Sequence, residues 1–188
     1  MNLRDALAWV PNLITLARLL AVPVTVYALL SGAYPLAFWL FVAAGISDAL
    51  DGIIAKRFNV TSEVGAYLDP LADKALLVAI FVTLGYLDLV AVWLVILIVF
   101  RDFLIIGGAI LFQTLTQSLH MEPLMVSKTN TLAQILLACL VLAQLTFPVP
   151  LAVPIEVLVY IVSATTVASG GAYVIKWGRR AVSMEKKP

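Results

Sequence analysis

Long apolar runs alternate with short polar breaks along the chain, and six of the runs approach the length of a membrane crossing. They extend from Trp9 to Leu30, Tyr34 to Ala55, Leu71 to Leu87, Val90 to Phe112, Met125 to Leu145 and Val153 to Trp177. A helix needs about 20 mostly apolar residues to cross a hydrocarbon layer ~30 Å thick, so each run predicts one transmembrane helix. The breaks carry turn chemistry: Ser31-Gly32 ahead of Tyr34-Pro35, Asp88 between the third and fourth runs, and Pro148-Val149-Pro150 between the last two. What remains is too short for a second, soluble domain, so residues 1–188 are expected to form one all-α integral membrane domain, a six-helix bundle. Met1 to Val10, with Leu3, Leu7 and Trp9 beside Arg4 and Asp5, predicts a short amphipathic helix lying in the membrane interface. The first run is too long for a signal-peptide core and contains Arg18, so cleavage of a leader is not expected.

Composition points the same way. The chain is 63% hydrophobic and 12% charged, with a mean hydropathy of +1.06, whereas soluble domains carry about 25% charged residues. Twelve Lys and Arg with eleven Asp and Glu could not cover a water-facing surface of this size. The net charge of +1 provides no field to recruit nucleic acid, which is excluded as a partner. Cys139, the one cysteine, lies in an apolar run and reads as a small packing residue. The basic residues also orient the chain. Arg4, Lys56, Arg57, Lys128, Lys176, Arg179, Arg180, Lys186 and Lys187 fall on one side if both termini are cytoplasmic, and the opposite loops hold only Asp88 and Glu156.

Four acids break the apolar pattern: Asp48 and Asp51 near the inner end of the second run, Asp69 and Asp73 near that of the third. An ionised side chain within a span costs about 2.5 to 3.5 kcal/mol or more, which makes such residues functional candidates. Spacings of three and four put each pair on one helix face, and the short 56–68 connection makes the two helices antiparallel neighbours. The pairs can therefore converge at the cytoplasmic end, where a hard divalent cation, Mg²⁺ or Mn²⁺, would offset their repulsion. His120 reads as an interfacial loop residue rather than a ligand. Gly45, Gly52, Ala55, Gly65 and Ala66 lie at fixed offsets from the acids and would let helix backbones or a ligand approach closely.

Written out, Asp48-x-x-Asp51-Gly52-x-x-Ala55-Lys56, eight residues, then Gly65-x-x-x-Asp69-x-x-x-Asp73 resembles the signature of the CDP-alcohol phosphatidyltransferases. Seven of its eight fixed positions match; the departure is Lys56, a point charge where the family has the bidentate fork of Arg. Pro11-Asn12-Leu13-Ile14-Thr15-x-x-Arg18 is similar to the family's first-span motif. Arg101-Asp102 and Ser127-Lys128-Thr129-Asn130-Thr131 resemble later segments that supply basic residues to an acceptor pocket, and Arg179 sits where the last helix returns to the inner interface. Read from the residues alone, Arg101 lies mid-span and must be paired or face a polar cavity, with an ion pair to Asp102 as the structural alternative.

The resemblance implies a multi-pass enzyme of a bacterial inner membrane, acting on the cytoplasmic side as a homodimer, with membrane lipids as its surroundings. It implies that Asp48, Asp51, Asp69 and Asp73 hold two ions, Mg²⁺ or Mn²⁺, and that Asp73 is also the general base. CDP-diacylglycerol would be bound by Asn12, Thr15, Asp48, Asp51, Gly52, Ala55, Lys56, Gly65 and Asp69. Arg101, Lys128 and Arg179 would bind the acceptor, an anionic lipid or glycerol phosphate. Arg101-Asp102, Asn130 and the Thr165 to Ser169 run are more similar to cardiolipin synthases than to phosphatidylglycerophosphate synthases, which often carry a Lys at the position of Asn130. One positive charge fewer suits phosphatidylglycerol, a phosphodiester, over glycerol 3-phosphate. A divalent-cation transporter is the alternative from another class, because intramembrane acids also mark ion paths. Acids gathered at one side, outer halves of spans poor in polar groups and no inverted repeat argue against it.

Overall fold

The computed structural model describes residues 3–58, 63–116 and 124–185, with side chains described at 13–48, 72–108 and 124–178. These residues form six helices: α1 (Leu3–Leu30), α2 (Tyr34–Phe58), α3 (Glu63–Tyr86), α4 (Val92–Thr116), α5 (Met125–Thr146) and α6 (Ala152–Glu185). Three carry described stretches long and apolar enough to cross a membrane, at Leu13–Leu30, Met125–Thr146 and Ala152–Gly178, while the apolar stretch of α2, Tyr34–Asp48, is shorter. The opening segment does not form a separate interfacial helix. α1 runs without interruption from Leu3 through Pro11 to Leu30, so the Pro marks no boundary.

The helix ends follow local rules. α1 stops where Gly32 takes φ +74°, the Gly32 N–H reaching Leu29 O at 3.1 Å and the Ala33 N–H reaching Ala28 O at 2.8 Å. That pair of bonds satisfies the last carbonyls of the helix. α3 ends the same way around Asp88 at φ 56°, with the Asp88 N–H on Gly85 O and the Leu89 N–H on Leu84 O. A short carboxylate side chain tolerates this conformation better than most residues other than Gly. Pro35 and Pro154 occupy the first turns of α2 and α6, where a missing N–H costs nothing.

The chain divides into two compact units, 1–89 with 138–151 and 90–137 with 152–188, so the halves of α5 belong to different units. In the first unit α1 packs on α2 and α3. The buried stripe of α1 is Thr15, Arg18, Thr25, Ala28 and Leu29; that of α2 is Ala37, Phe41 and Ala44; that of α3 is Leu76, Leu77, Ile80, Phe81 and Leu84. All three recur at helical spacing. In the second unit α4 packs on α6, through stripes of Leu94, Ile98, Arg101 and Asp102 on α4 and Val162, Thr166, Ser169 and Tyr173 on α6.

Burial is inverted relative to a water-soluble protein. Arg18, Arg101, Asp102, Asn130, Gln134 and Ser169 are buried, whereas Tyr27, Trp39, Ile96, Phe100, Phe103 and Tyr160 are exposed. Polar groups turned inward and large apolar groups turned outward are the arrangement a bilayer selects. Hydroxyls in the apolar helices bond back to the preceding turn, as Thr25 does to Ala21 O and Thr83 to Ala79 O, so they are satisfied within their own helices.

Among the described residues no atom lies within 4 Å of a Cβ at Gly45, so no close helix contact is seen there. Close approach occurs at Gly108, where a Cβ would overlap the Trp177 ring, itself 5.4 Å from the Tyr173 ring. Gly108→Ala is expected to cost about 1–3 kcal/mol through overpacking. A lower melting temperature in detergent would report it; an unchanged one would mean that the indole moves aside at no cost.

Candidate active site

Three elements of the first unit bring charged groups to one level. Arg18 lies about 18 Å before the end of α1, Asp48 about 21 Å after the start of α2, and Asp73 about 20 Å before the end of α3, at 1.5 Å per residue. The Ser31–Ala33 turn makes α1 and α2 an antiparallel pair, so Arg18 and Asp48 meet. Arg18 Nη1 donates to Asp48 Oδ1 at 2.8 Å and also to Asp73 Oδ1. The burial is asymmetric: the Arg18 side chain is 1% exposed, those of Asp48 and Asp73 45% and 43%. The guanidinium thus lies on the inner side of the two carboxylates, which open on the other. Thr15 is buried one turn before Arg18 on the same face of α1.

The convergence expected of the two acid pairs is therefore seen for one acid from each pair. Asp51, Gly52, Ala55 and Lys56 lie on α2, Gly65 and Asp69 on α3, Asn12 on α1 and Arg179 on α6, but their side chains fall outside the described residues. His120 falls outside them altogether. Among the described residues no three His, Cys, Asp or Glu side chains group as a metal site. The donor set nevertheless fits a hard divalent cation: two carboxylates from separate helices share one guanidinium nitrogen, are open on the side away from it, and have no His or Cys grouped with them among the described residues.

Arg18 is the residue that sequence reasoning passed over. It served there only as a position in the first-span motif and as an argument against a leader. Its signal was a cation in the middle of an apolar run, which calls for a partner as strongly as the four acids do.

The second unit contains a separate polar centre. Arg101 Nη1 donates to Asp102 Oδ1 at 2.7 Å and Nε to Ser169 Oγ at 3.1 Å, while Nη2 donates to Ser127 Oγ and to Ser169 Oγ. The side chains of Arg101 and Asp102 are only 3% and 5% exposed. Arg101 is thus held between α4, α5 and α6 with its donors engaged. Lys128, by contrast, is exposed. Further along α5, Asn130 is fully buried with its Oδ1 accepting from Thr165 Oγ1 at 2.8 Å and Thr166 Oγ1 at 2.9 Å. The Asn130 amide is therefore part of the α5–α6 seam.

Asn130 Nδ2 and both amide atoms of Gln134 are buried without a hydrogen-bond partner among the described residues. An unsatisfied buried polar group costs about 1–3 kcal/mol. Gln134→Leu is accordingly expected to raise the melting temperature; a fall would show that the amide is held by a buried polar molecule such as water.

The CDP-alcohol phosphatidyltransferase family model matches residues 8–169, and the chain belongs to that family. It is 31% identical to human cardiolipin synthase (CMP-forming), covering 94% of this chain and 64% of that protein. It is 32% identical to the cardiolipin synthase (CMP-forming)/mitochondrial hydrolase fusion protein of Schizosaccharomyces pombe, covering 92% of this chain and 32% of that protein. The CDP-diacylglycerol–glycerol-3-phosphate 3-phosphatidyltransferase of Bacillus subtilis is 30% identical, covering 88% of this chain and 93% of that protein. The chain thus spans less than two thirds of the human and yeast relatives but nearly all of the bacterial one. The family generally uses a divalent metal ion. Membership in a transferase family removes the ground for the cation-transporter reading.

Proposed function

We propose that the protein transfers the phosphatidyl group of CDP-diacylglycerol to phosphatidylglycerol, forming cardiolipin and releasing CMP. The observation that carries this reading is the meeting of Asp48 and Asp73, the first and last acids of the family signature, from two helices at one guanidinium. Asp48, Asp51, Asp69 and Asp73 would hold the divalent ions, with Asn12, Thr15, Gly52, Ala55, Lys56 and Gly65 completing the donor pocket. A pair of Mg²⁺ or Mn²⁺ ions would neutralise the donor pyrophosphate and polarise the reacting oxygens.

Asp73 receives the proton of the acceptor hydroxyl as that oxygen bonds to the lipid-side phosphorus; the bond from this phosphorus to the CMP oxygen breaks. Lys56 holds the charge of the departing CMP. Lys128 and Arg179 attract the anionic acceptor, and Arg101 joins them only by exchanging Ser127 or Ser169 for an acceptor oxygen.

The choice of phosphatidylglycerol is supported by the sequence: Asn130 stands where phosphatidylglycerophosphate synthases often carry a Lys, which leaves one positive charge fewer for the acceptor. Glycerol 3-phosphate is the second reading, favoured by the full-length match to the Bacillus subtilis transferase. Six spans, both termini on the cytoplasmic side, a bacterial inner membrane and a homodimer complete the proposal. Separation of the lipid products decides the acceptor. Cardiolipin from phosphatidylglycerol is the expected product; phosphatidylglycerophosphate from glycerol 3-phosphate, with no cardiolipin, would select the second reading.

A further inference from the structure

We propose that Arg18 is a positioning residue for divalent-metal binding: from beneath the two carboxylates it holds Asp48 and Asp73 in the arrangement that an ion can engage. The inference rests on the reading above that these two acids are metal ligands, and extends it to a residue on a third helix.

The geometry has three parts. First, the two Oδ1 atoms belong to different helices, α2 and α3, and are tied by one nitrogen from α1. Two carboxylates in a medium poorer than water repel each other, and without a cation between them the helices have no reason to keep them adjacent. Second, the contacts lie on the buried side, because Arg18 is enclosed while both acids are half-exposed. The guanidinium therefore supports the pair from below without covering its open face. Third, a planar guanidinium can bond two acceptors at once with directional N–H groups, whereas an ammonium is a point charge on a flexible stem. Partners that orient metal-ligating carboxylates commonly set metal affinity more than tenfold. Arg18 has the placement of such a partner.

The test is Mn²⁺ binding by the full-length protein in detergent or nanodiscs, without donor lipid, read from the electron paramagnetic resonance signal of free Mn²⁺. Arg18→Met should weaken binding at least tenfold and Arg18→Lys by a smaller factor, because the charge remains and the fork is lost. Leu29→Ala, on the buried stripe of α1 but three turns from Arg18, should lower the melting temperature and leave Mn²⁺ affinity within twofold. A tie that is merely structural would behave like Leu29. Equal or tighter Mn²⁺ binding by Arg18→Met would overturn the proposal, leaving Arg18 as a packing ion pair or a competitor of the metal. If Arg18→Met does not fold, Arg18→Lys decides alone, and binding equal to wild type overturns the proposal. Wild-type protein that binds no Mn²⁺ would overturn the metal reading and this inference together; wild-type binding that is lost in Asp73→Asn but kept in Arg18→Met would overturn this inference only.

Discussion

Asp73→Asn is expected to reduce CMP release from CDP-diacylglycerol by a factor of about 10²–10⁴, the range for removal of a positioned general base. The substitution is nearly isosteric, so packing around α3 is kept, and Arg18 retains its bond to Asp48. What disappears is the proposed proton acceptor and one unit of negative charge on the open side of the pair. The two losses are separable. If only the base is lost, Mn²⁺ binding survives while turnover falls; if the ligand is lost as well, both fall. The measurement is turnover at saturating donor and acceptor, with melting temperature as the control for folding. Turnover near that of wild type would place the base elsewhere.

Arg101→Met should have the largest effect on stability. Arg101 and Asp102 are both almost fully buried, and removing one partner of such a pair costs about 3–5 kcal/mol because the other is left charged in a poor solvent. Ser127 and Ser169 would lose their donor in the same step, loosening α5 and α6 from α4. The double variant Arg101→Met/Asp102→Leu should recover much of the loss, since replacing both partners removes the stranded charge. Thermal melting of the single and double variants in detergent checks this. A single variant as stable as wild type would show that the three helices do not depend on the guanidinium.

Local features of the fold were legible in the sequence because their causes are local. Gly32 and Asp88 end helices through their own backbone conformations, and Pro148 to Pro150 separates α5 from α6 for want of N–H groups and helical freedom. The acids were legible for a different reason: in a chain so poor in charge, four carboxylates gathered at the inner ends of two apolar runs demand a common explanation. Pairings over long separations were not legible. Arg18 lies 30 residues from Asp48 and 55 from Asp73, and whether they meet depends on how three helices rotate about their axes, which spacing within one helix does not encode. Arg101 shows the same limit. Its need for a partner was clear, but its use of Ser127 and Ser169 arises from tertiary packing. The continuity of α1 was missed because Leu3, Leu7 and Trp9 beside Arg4 and Asp5 form an amphipathic pattern that reads as a separate interfacial helix, whereas one helix runs from Leu3 to Leu30.

The most direct test of the account is CMP release by the purified full-length protein in nanodiscs containing CDP-diacylglycerol, with Mg²⁺ or Mn²⁺ and with phosphatidylglycerol or glycerol 3-phosphate supplied separately. Release that requires both an acceptor and a divalent ion, and that stops on chelation, is the predicted result. No CMP with either acceptor at any Mg²⁺ or Mn²⁺ concentration would contradict the account.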